Sequence, residues 1–281
     1  MFTADLLAGK RILVTGGGTG LGAAMAQRFA ELGAHLVLCG RRIEPLQATA
    51  AALQQATGRP VETHACDLRQ SDAVEALMSA IWASGPLDVL VNNAAATFVS
   101  RSETLSARAA DAVLAPTLHG ALYGTLAAGR RWIDAGRPGV VLSILSTSTI
   151  TGRAFTMPSA VAKSGVLAMT KSLAVEWGRY GIRLVGIAPG PFPTPGASGP
   201  LMAHQRAGRD PAGRIPLGRV GQHPELANLA SYLVSDQAGY ITGEMVTIDG
   251  GGHLRTSGAE DLLRWTDQDW ADAARARSAK A

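Results

Sequence analysis

The chain has 281 residues, 47% apolar and only 17% charged, with a formal net charge of +4. That is enough apolar length for one large α/β core or two small domains, and it excludes disorder over the chain as a whole. The lysines and arginines are dispersed, so the modest positive balance suits a phosphorylated cofactor or thioester and makes no nucleic-acid stripe. No apolar stretch has the length of a membrane span, and no signal pattern precedes the first strand. Cys39 and Cys66, the only cysteines, have no Cys-x-x-Cys partner and read as packed thiols in a reducing cytoplasm. The six histidines form no His-x-x-x-His pair, which gives a metal enzyme little support.

In chain order, Arg11 to Thr15 reads as a strand and Leu21 to about Leu32 as a helix that Gly33 ends. Between them lies Gly16-Gly17-Gly18-Thr19-Gly20-Leu21-Gly22, a strand-to-helix turn of the kind that holds a dinucleotide pyrophosphate. Gly16 permits the tight turn, Gly20 lets backbone approach phosphate, and Gly22 removes the Cβ that would hold helix away from sheet. Its spacing is Gly-x-x-x-Gly-x-Gly, so a merely flexible loop is the competing reading. A strand at His35–Cys39, a helix at Ile43–Thr57, a strand at Val61–Ala65 and a helix from Ser71 to about Ser84 follow. Leu87 to Val91 is strongly strand-like and runs into Asn92-Asn93. A long helical region spans about Leu105 to Asp134, with Pro116 as a possible interruption.

The second half adds a strand at Val140–Ser143, a helix around Ser159–Gly178, and strands at Arg183–Ile187 and Glu244–Ile248. The alternation predicts one doubly wound, mostly parallel α/β sheet of Rossmann type, covered by helices on both faces, as a single domain over 1–281. The Pro/Gly-rich segment 190–221 reads either as a substrate cover or as a surface excursion. In the extension 257–281, Leu262, Leu263, Trp265 and Trp270 predict packing against the same or a neighbouring subunit.

Past the second strand, where an adenosine ribose would lie, an acidic residue would mark a cofactor lacking the 2′-phosphate. Here Gly40-Arg41-Arg42 stands in that place. Arg41 can fork onto a 2′-phosphate, Arg42 can stack near adenine or face water, and Asp67 is placed to address the adenine amino group. These residues favour NADP(H), against the plain reading of solvated loop charges. Asn93, with Asn92, can fix backbone near the cofactor. Lys163 falls four residues after Ser159, on the same helix face and among small apolar residues. Its ammonium needs a polar partner if buried, such as a ribose hydroxyl, or else it is a surface lysine.

Taken together, Thr15-Gly16-x-x-x-Gly20-x-Gly22, Asp67, Asn92-Asn93-Ala94, Ser146, Lys163 and Pro189-Gly190 resemble the short-chain dehydrogenase/reductase family from about Gly9 to Gly252. The resemblance implies that Thr19 and Leu21 of the glycine turn, with Pro189, Gly190, Phe192 and Thr194, surround the cofactor, the last four on its nicotinamide side. It also implies a homotetramer. Within the family the chain looks like the 2,4-dienoyl-CoA reductases. The shared features include Asn92-Asn93-Ala94-Ala95, Pro158-Ser159-Ala160-x-Ala162-Lys163, Arg214-Ile215-Pro216-x-Gly218-Arg219, and the extension around Ser257-Gly258 and Trp270. That branch reduces a conjugated dienoyl thioester with NADPH, delivering hydride to the distal diene carbon.

Two departures qualify the match. The usual family tyrosine, four residues before Lys163, is Ser159, as it is in dienoyl reductases, but their upstream tyrosine is here Ser148. A serine hydroxyl is a poor acid–base group for an alcohol–ketone pair, which disfavours a simple alcohol dehydrogenase. Where that branch expects Asn-Gly, the chain has His119-Gly120, and His119 either donates to a thioester oxygen or is a neutral structural substitute. Arg69 matches a basic substrate-contacting position and could meet a CoA phosphate or only water. The leading expectation is reduction of an enoyl- or dienoyl-CoA thioester by NADPH, with Ser146, Ser148, Ser159 and His119 as candidate donors and Lys163 orienting the cofactor. The alternatives are an NADPH-dependent reductase of another activated alkene or carbonyl compound, and a catalytically inactive dinucleotide-binding protein.

Overall fold

The computed structural model describes residues 2–194, 211–255 and 259–278. Seven parallel strands form one sheet: β1 (Arg11–Thr15), β2 (His35–Gly40), β3 (Val61–Ala65), β4 (Val89–Asn92), β5 (Gly139–Ile144), β6 (Ile182–Pro189) and β7 (Met245–Ile248). Their spatial order is β3-β2-β1-β4-β5-β6-β7. The chain winds outward from β1 to β3 and then returns to pair β4 with β1, Ile12 opposite Val89 and Val14 opposite Val91. The change of direction opens a crevice at the carboxyl ends of β1 and β4, where ligands of open α/β sheets bind.

Strand residues alternate between two covering layers. Ile12, Val14, Leu36, Leu38, Val89 and Val91 join the core beneath α1 (Gly20–Glu31), α2 (Ile43–Thr57) and α8 (His223–Val234). Leu13, Val37, Leu90, Val141 and Leu184 join the opposite core beneath α3 (Ser71–Ala83), α5 (Gly120–Asp134) and α7 (Met157–Trp177). Both faces are apolar because both are covered, which is why these strands read as continuous apolar runs. Trp132 anchors the second layer; it is wholly buried and its indole N–H donates to the Leu87 carbonyl at 2.6 Å. Arg183 closes the other end of the sheet, donating to the carbonyls of Leu233, Ser235 and Ile241, each at 3.1 Å.

The long helical region predicted over 105–134 is composite. α4 (Ala107–Leu114) is capped by Ser106, whose Oγ accepts from the Ala109 N–H, and it passes through a π turn at Ala115–His119 into α5. Pro116 has no N–H to donate back along the helix, and the widened turn absorbs that loss without ending the helix. α7 begins at Met157, earlier than predicted, with Pro158 in its first turn. A short polar helix, α6 (Ser148–Thr151), was not predicted. Of the predicted cover 190–221, residues 195–210 lie outside the described residues, as do Ser257 and Gly258 of the extension. After them, α9 (Asp267–Ser278) extends with every described side chain exposed or half-exposed. Trp265 and Trp270 meet edge to face at 4.8 Å, and both stay exposed, as does Leu263. The extension's aromatic residues therefore pack on each other and not into the core of their own chain.

Candidate active site

Thr15 ends β1 and organises the crevice. Its hydroxyl donates to the Val91 carbonyl at 3.0 Å and accepts from the N–H groups of Asn93 and Ala94 at 2.9 and 3.0 Å. The Asn93 amide donates in turn to the Thr15 carbonyl at 2.8 Å. These bonds tie the turn after β1 to the loop after β4. Gly16 then takes a left-handed φ of +65°, and a Cβ on Gly22 would lie 2.3 Å from the Gly16 carbonyl oxygen. The first turn of α1 can thus sit directly on the loop only without that side chain. Thr19 occupies the N-cap and makes no side-chain cap, so the leading amides of α1, at Gly20, Leu21 and Gly22, face the crevice without a side-chain acceptor. Opposite them Thr194 approaches: a Cβ on Gly20 would lie 3.4 Å from its methyl group.

Past β2, where the sequence reading expects an adenosine ribose, Arg41 and Arg42 are exposed before α2. Asp67 and Arg69 are committed to each other. The Arg69 Nε lies 2.9 Å from both carboxylate oxygens, its Nη2 lies 2.5 Å from one, and its backbone N–H donates to the other at 3.1 Å. The Arg69 hydrogen bonds, with added attraction from Arg41, hold the Asp67 carboxyl below the ordinary range. Two residues that the sequence assigned to different ligands therefore form one ion pair, and Arg41 and Arg42 beside β2 have no ion-pair partner among the described residues.

The chemical end lies at the carboxyl edge of β5. Lys163, on α7, is 7% exposed and donates from Nζ to the Ile144 carbonyl. Burial pushes its pKa down to about 8, because the charged form loses water. Ser146 follows two residues after Ile144, and the Ser148 hydroxyl donates to the Ser146 hydroxyl at 2.9 Å. The Ser148 N–H reaches the same oxygen at 3.2 Å. Ser159 lies one helical turn before Lys163, half-buried, and its hydroxyl has no partner among the described residues. His119 ends the π turn, exposed, its ring 6.1 Å from that of Tyr123. The turn rests on α7 through Leu118, which fills the space a Cβ on Gly165 would need.

The end of β6 shapes the side of the crevice that the resemblance assigns to nicotinamide. Pro189 closes the strand, and the Gly190 N–H donates to the Ile248 carbonyl at 2.9 Å. A side chain on Gly190 would meet Asp249 at 2.5 Å, so β6 and β7 close together there. Phe192 is nearly buried and fills the space over Gly221. Sequence reasoning missed Asp249, whose carboxylate accepts from the Gly251 and His253 N–H groups and from the His253 ring. It also missed Thr117, whose hydroxyl accepts from the Ala96 N–H at 3.0 Å and ties the π turn to the loop after β4. The Thr117 contact has no local signal, since it depends on where a distant loop returns, whereas the Asp249 contacts are local and depend on a turn geometry that residue types do not specify. Among the described residues no three His, Cys, Asp or Glu side chains are grouped to hold a metal ion, and no helix is long and apolar enough to cross a membrane.

A family model described as Enoyl-(Acyl carrier protein) reductase matches residues 16–253. The "Probable 2,4-dienoyl-CoA reductase [(2E)-enoyl-CoA-producing]" of Bacillus subtilis (strain 168) is 41% identical over 86% of this chain and 96% of its own. The "Probable 2,4-dienoyl-CoA reductase 3 [(3E)-enoyl-CoA-producing]" of Caenorhabditis elegans is 38% identical over 95% of this chain and 88% of its own. Among solved structures, a gluconate 5-dehydrogenase from Burkholderia cenocepacia J2315, in complex with NADP and tartrate, superposes with a TM-score of 0.84. It is 29% identical and covers 90% of this chain and 99% of its own. With the sheet order, glycine turn and buried lysine already described, these matches show that the chain belongs to the short-chain dehydrogenase/reductase family of oxidoreductases.

Proposed function

We propose that this chain reduces a conjugated enoyl or 2,4-dienoyl thioester, carried on coenzyme A, at the expense of NADPH. The observation that carries the reading is the row of serines at the carboxyl edge of β5: Ser159 one turn before Lys163, and the Ser146–Ser148 hydroxyl pair beside it. A serine hydroxyl donates a hydrogen bond well but does not trade its proton readily near neutral pH, so it serves poorly as the acid for a carbonyl becoming an alcohol. Reduction of a conjugated alkene asks for less. Charge moves to the thioester oxygen, where hydrogen-bond donors lower the barrier, and the last proton goes to carbon and can come from water. The two dienoyl-CoA reductases above support the thioester class.

The crevice fits the cofactor. Gly20 and Gly22 keep side chains off the amino end of α1, and Arg41, exposed past β2, would supply the forked cation that a 2′-phosphate needs. When bound, NADPH supplies the hydride. The chain's part is to orient and polarise: Lys163 fixes the ribose side and sets a positive potential, Ser148 and Ser146 relay one hydroxyl donor, and Ser159 offers another. His119 and Arg69 stand at the rim for the thioester and its phosphates, Arg69 only after leaving Asp67. We assign the enzyme to a cytoplasmic homotetramer on the family resemblance.

The test is an NADPH-consumption screen over dienoyl-CoA, enoyl-CoA and ketone substrates, with NADP+ reduction by secondary alcohols measured beside it. The reading expects turnover with conjugated thioesters and little alcohol oxidation; robust alcohol oxidation without thioester turnover reverses it. A second reading, reduction of another activated alkene or carbonyl compound, is favoured by Ser148, where dienoyl reductases carry tyrosine. It predicts turnover confined to non-thioester members of that screen.

A further inference from the structure

Phe155 is the only residue other than glycine, among those described, with a left-handed backbone, at φ +63°. A Cβ clashes with the backbone in that conformation, and an aromatic residue there is an outlier that survives only where its surroundings impose it. The surroundings are identifiable. The Phe155 carbonyl accepts from the Ser100 N–H at 2.9 Å, which straps it to the loop after β4. The next residue, Thr156, is buried, and its carbonyl takes the Ser159 and Ala160 N–H groups at 3.0 and 3.2 Å, opening α7. Phe155 is thus pinned between the two loops that bracket the serines. Glycine or asparagine would hold the same turn with less strain.

Phe155 is 57% exposed and belongs to none of the cores, so the strain is not offset by burial within the chain. Ile150, on α6 beside Ser148, and Val99, next to Ser100, are exposed apolar side chains on the same two loops. We infer that Phe155 determines substrate specificity: its ring is the apolar wall against which the hydrocarbon tail beyond the reacting diene packs. The inference rests on the reductase reading above and names the part of the substrate that the serines and Lys163 do not recognise.

The experiment compares Phe155→Gly and Phe155→Leu with wild type on 2,4-hexadienoyl-CoA and 2,4-decadienoyl-CoA. Glycine keeps the backbone and removes the wall. We expect KM for the ten-carbon substrate to rise about tenfold or more, the order expected for losing a buried aromatic contact, with leucine recovering part of the loss. KM for the six-carbon substrate and the NADPH dissociation constant stay near wild type, and Tm is unchanged or higher because the strain is gone. Equal KM changes at both chain lengths, or none, overturn the inference. So does a fall in oligomer mass in Phe155→Gly, which would assign the ring to a contact between copies of the chain. A wild type inactive on every thioester defeats the reductase reading instead. Calorimetric binding of decanoyl-CoA to wild type and Phe155→Gly then decides the role of Phe155 by itself: weaker binding by the variant supports it, and equal binding overturns it.

Discussion

Replacing Lys163 by methionine removes a buried ammonium while keeping a side chain of similar length, and the structure says what that should do. The folded-state pKa of about 8 lies below the ordinary 10.5, so the unfolded chain binds this proton more tightly. Below pH 8 both states carry it and the fold bears the full desolvation cost, on the order of 3 kcal/mol at 1.36 kcal/mol per pH unit. That cost is relieved as pH rises from 8 toward 10.5, so this group makes wild type more stable with rising pH. Between pH 7.5 and 9.5 the relief amounts to about 2 kcal/mol, and Lys163→Met lacks it entirely. At pH 7.5 the variant escapes the desolvation cost but leaves the Ile144 carbonyl without its donor, a loss of roughly 1–3 kcal/mol, so its net stability should be similar to or above wild type. Urea unfolding of both proteins at several values between pH 7.5 and 9.5 gives the test. The stability difference should shift by about 2 kcal/mol in favour of wild type over that interval. Parallel curves would refute the argument that Lys163 is held charged against its burial. Turnover should be lost in the variant at every pH, a trade of function for stability.

Other substitutions address the neighbouring steps. Arg41→Ala should weaken NADPH binding roughly 10- to 100-fold by removing a charge-assisted contact, and leave NADH affinity within about twofold; titration of both cofactors checks it, and equal losses would sink the assignment. Gly22→Ala places a methyl 2.3 Å from the Gly16 carbonyl oxygen, so denaturation should show a loss of about 1–3 kcal/mol together with weaker cofactor binding. Arg183→Met should cost roughly 2–4 kcal/mol, because three carbonyls, at the end of α8 and in the loop that follows it, lose one shared donor, with little effect on the cofactor constant. Wild-type kcat/KM for NADPH should decline as pH rises through about 8, where Lys163 of the free enzyme loses its charge.

The parallel sheet was legible because its strands are short apolar runs between turn residues, and because Gly16, Gly20 and Gly22 stand where strand meets helix. Each of the seven strands lies within a residue or two of its predicted place. The π turn at 115–119 was visible only as Pro116, since a proline in a helical pattern can kink, end or widen a turn and tertiary packing chooses among them. α6 has four polar or β-branched residues and no apolar period to announce it. The Asp67–Arg69 pair is local, two residues apart, yet its formation depends on a loop geometry that residue types do not specify. The left-handed Phe155 runs against local preference altogether, and only the Ser100 strap makes it intelligible. The fold followed from periodicity, whereas the site's working contacts follow from loops meeting at the sheet edge.

The central claim is that hydride reaches carbon of a conjugated thioester in a site whose acid is no tyrosine. It is tested most directly by supplying NADPH deuterated on the transferred hydrogen together with a 2,4-dienoyl-CoA, and locating the label in the product by mass spectrometry and NMR. The account predicts one deuterium at the distal diene carbon, one solvent hydrogen at another carbon, and an intact thioester. Deuterium on a carbinol carbon with the double bonds retained, or a product free of label, would contradict it.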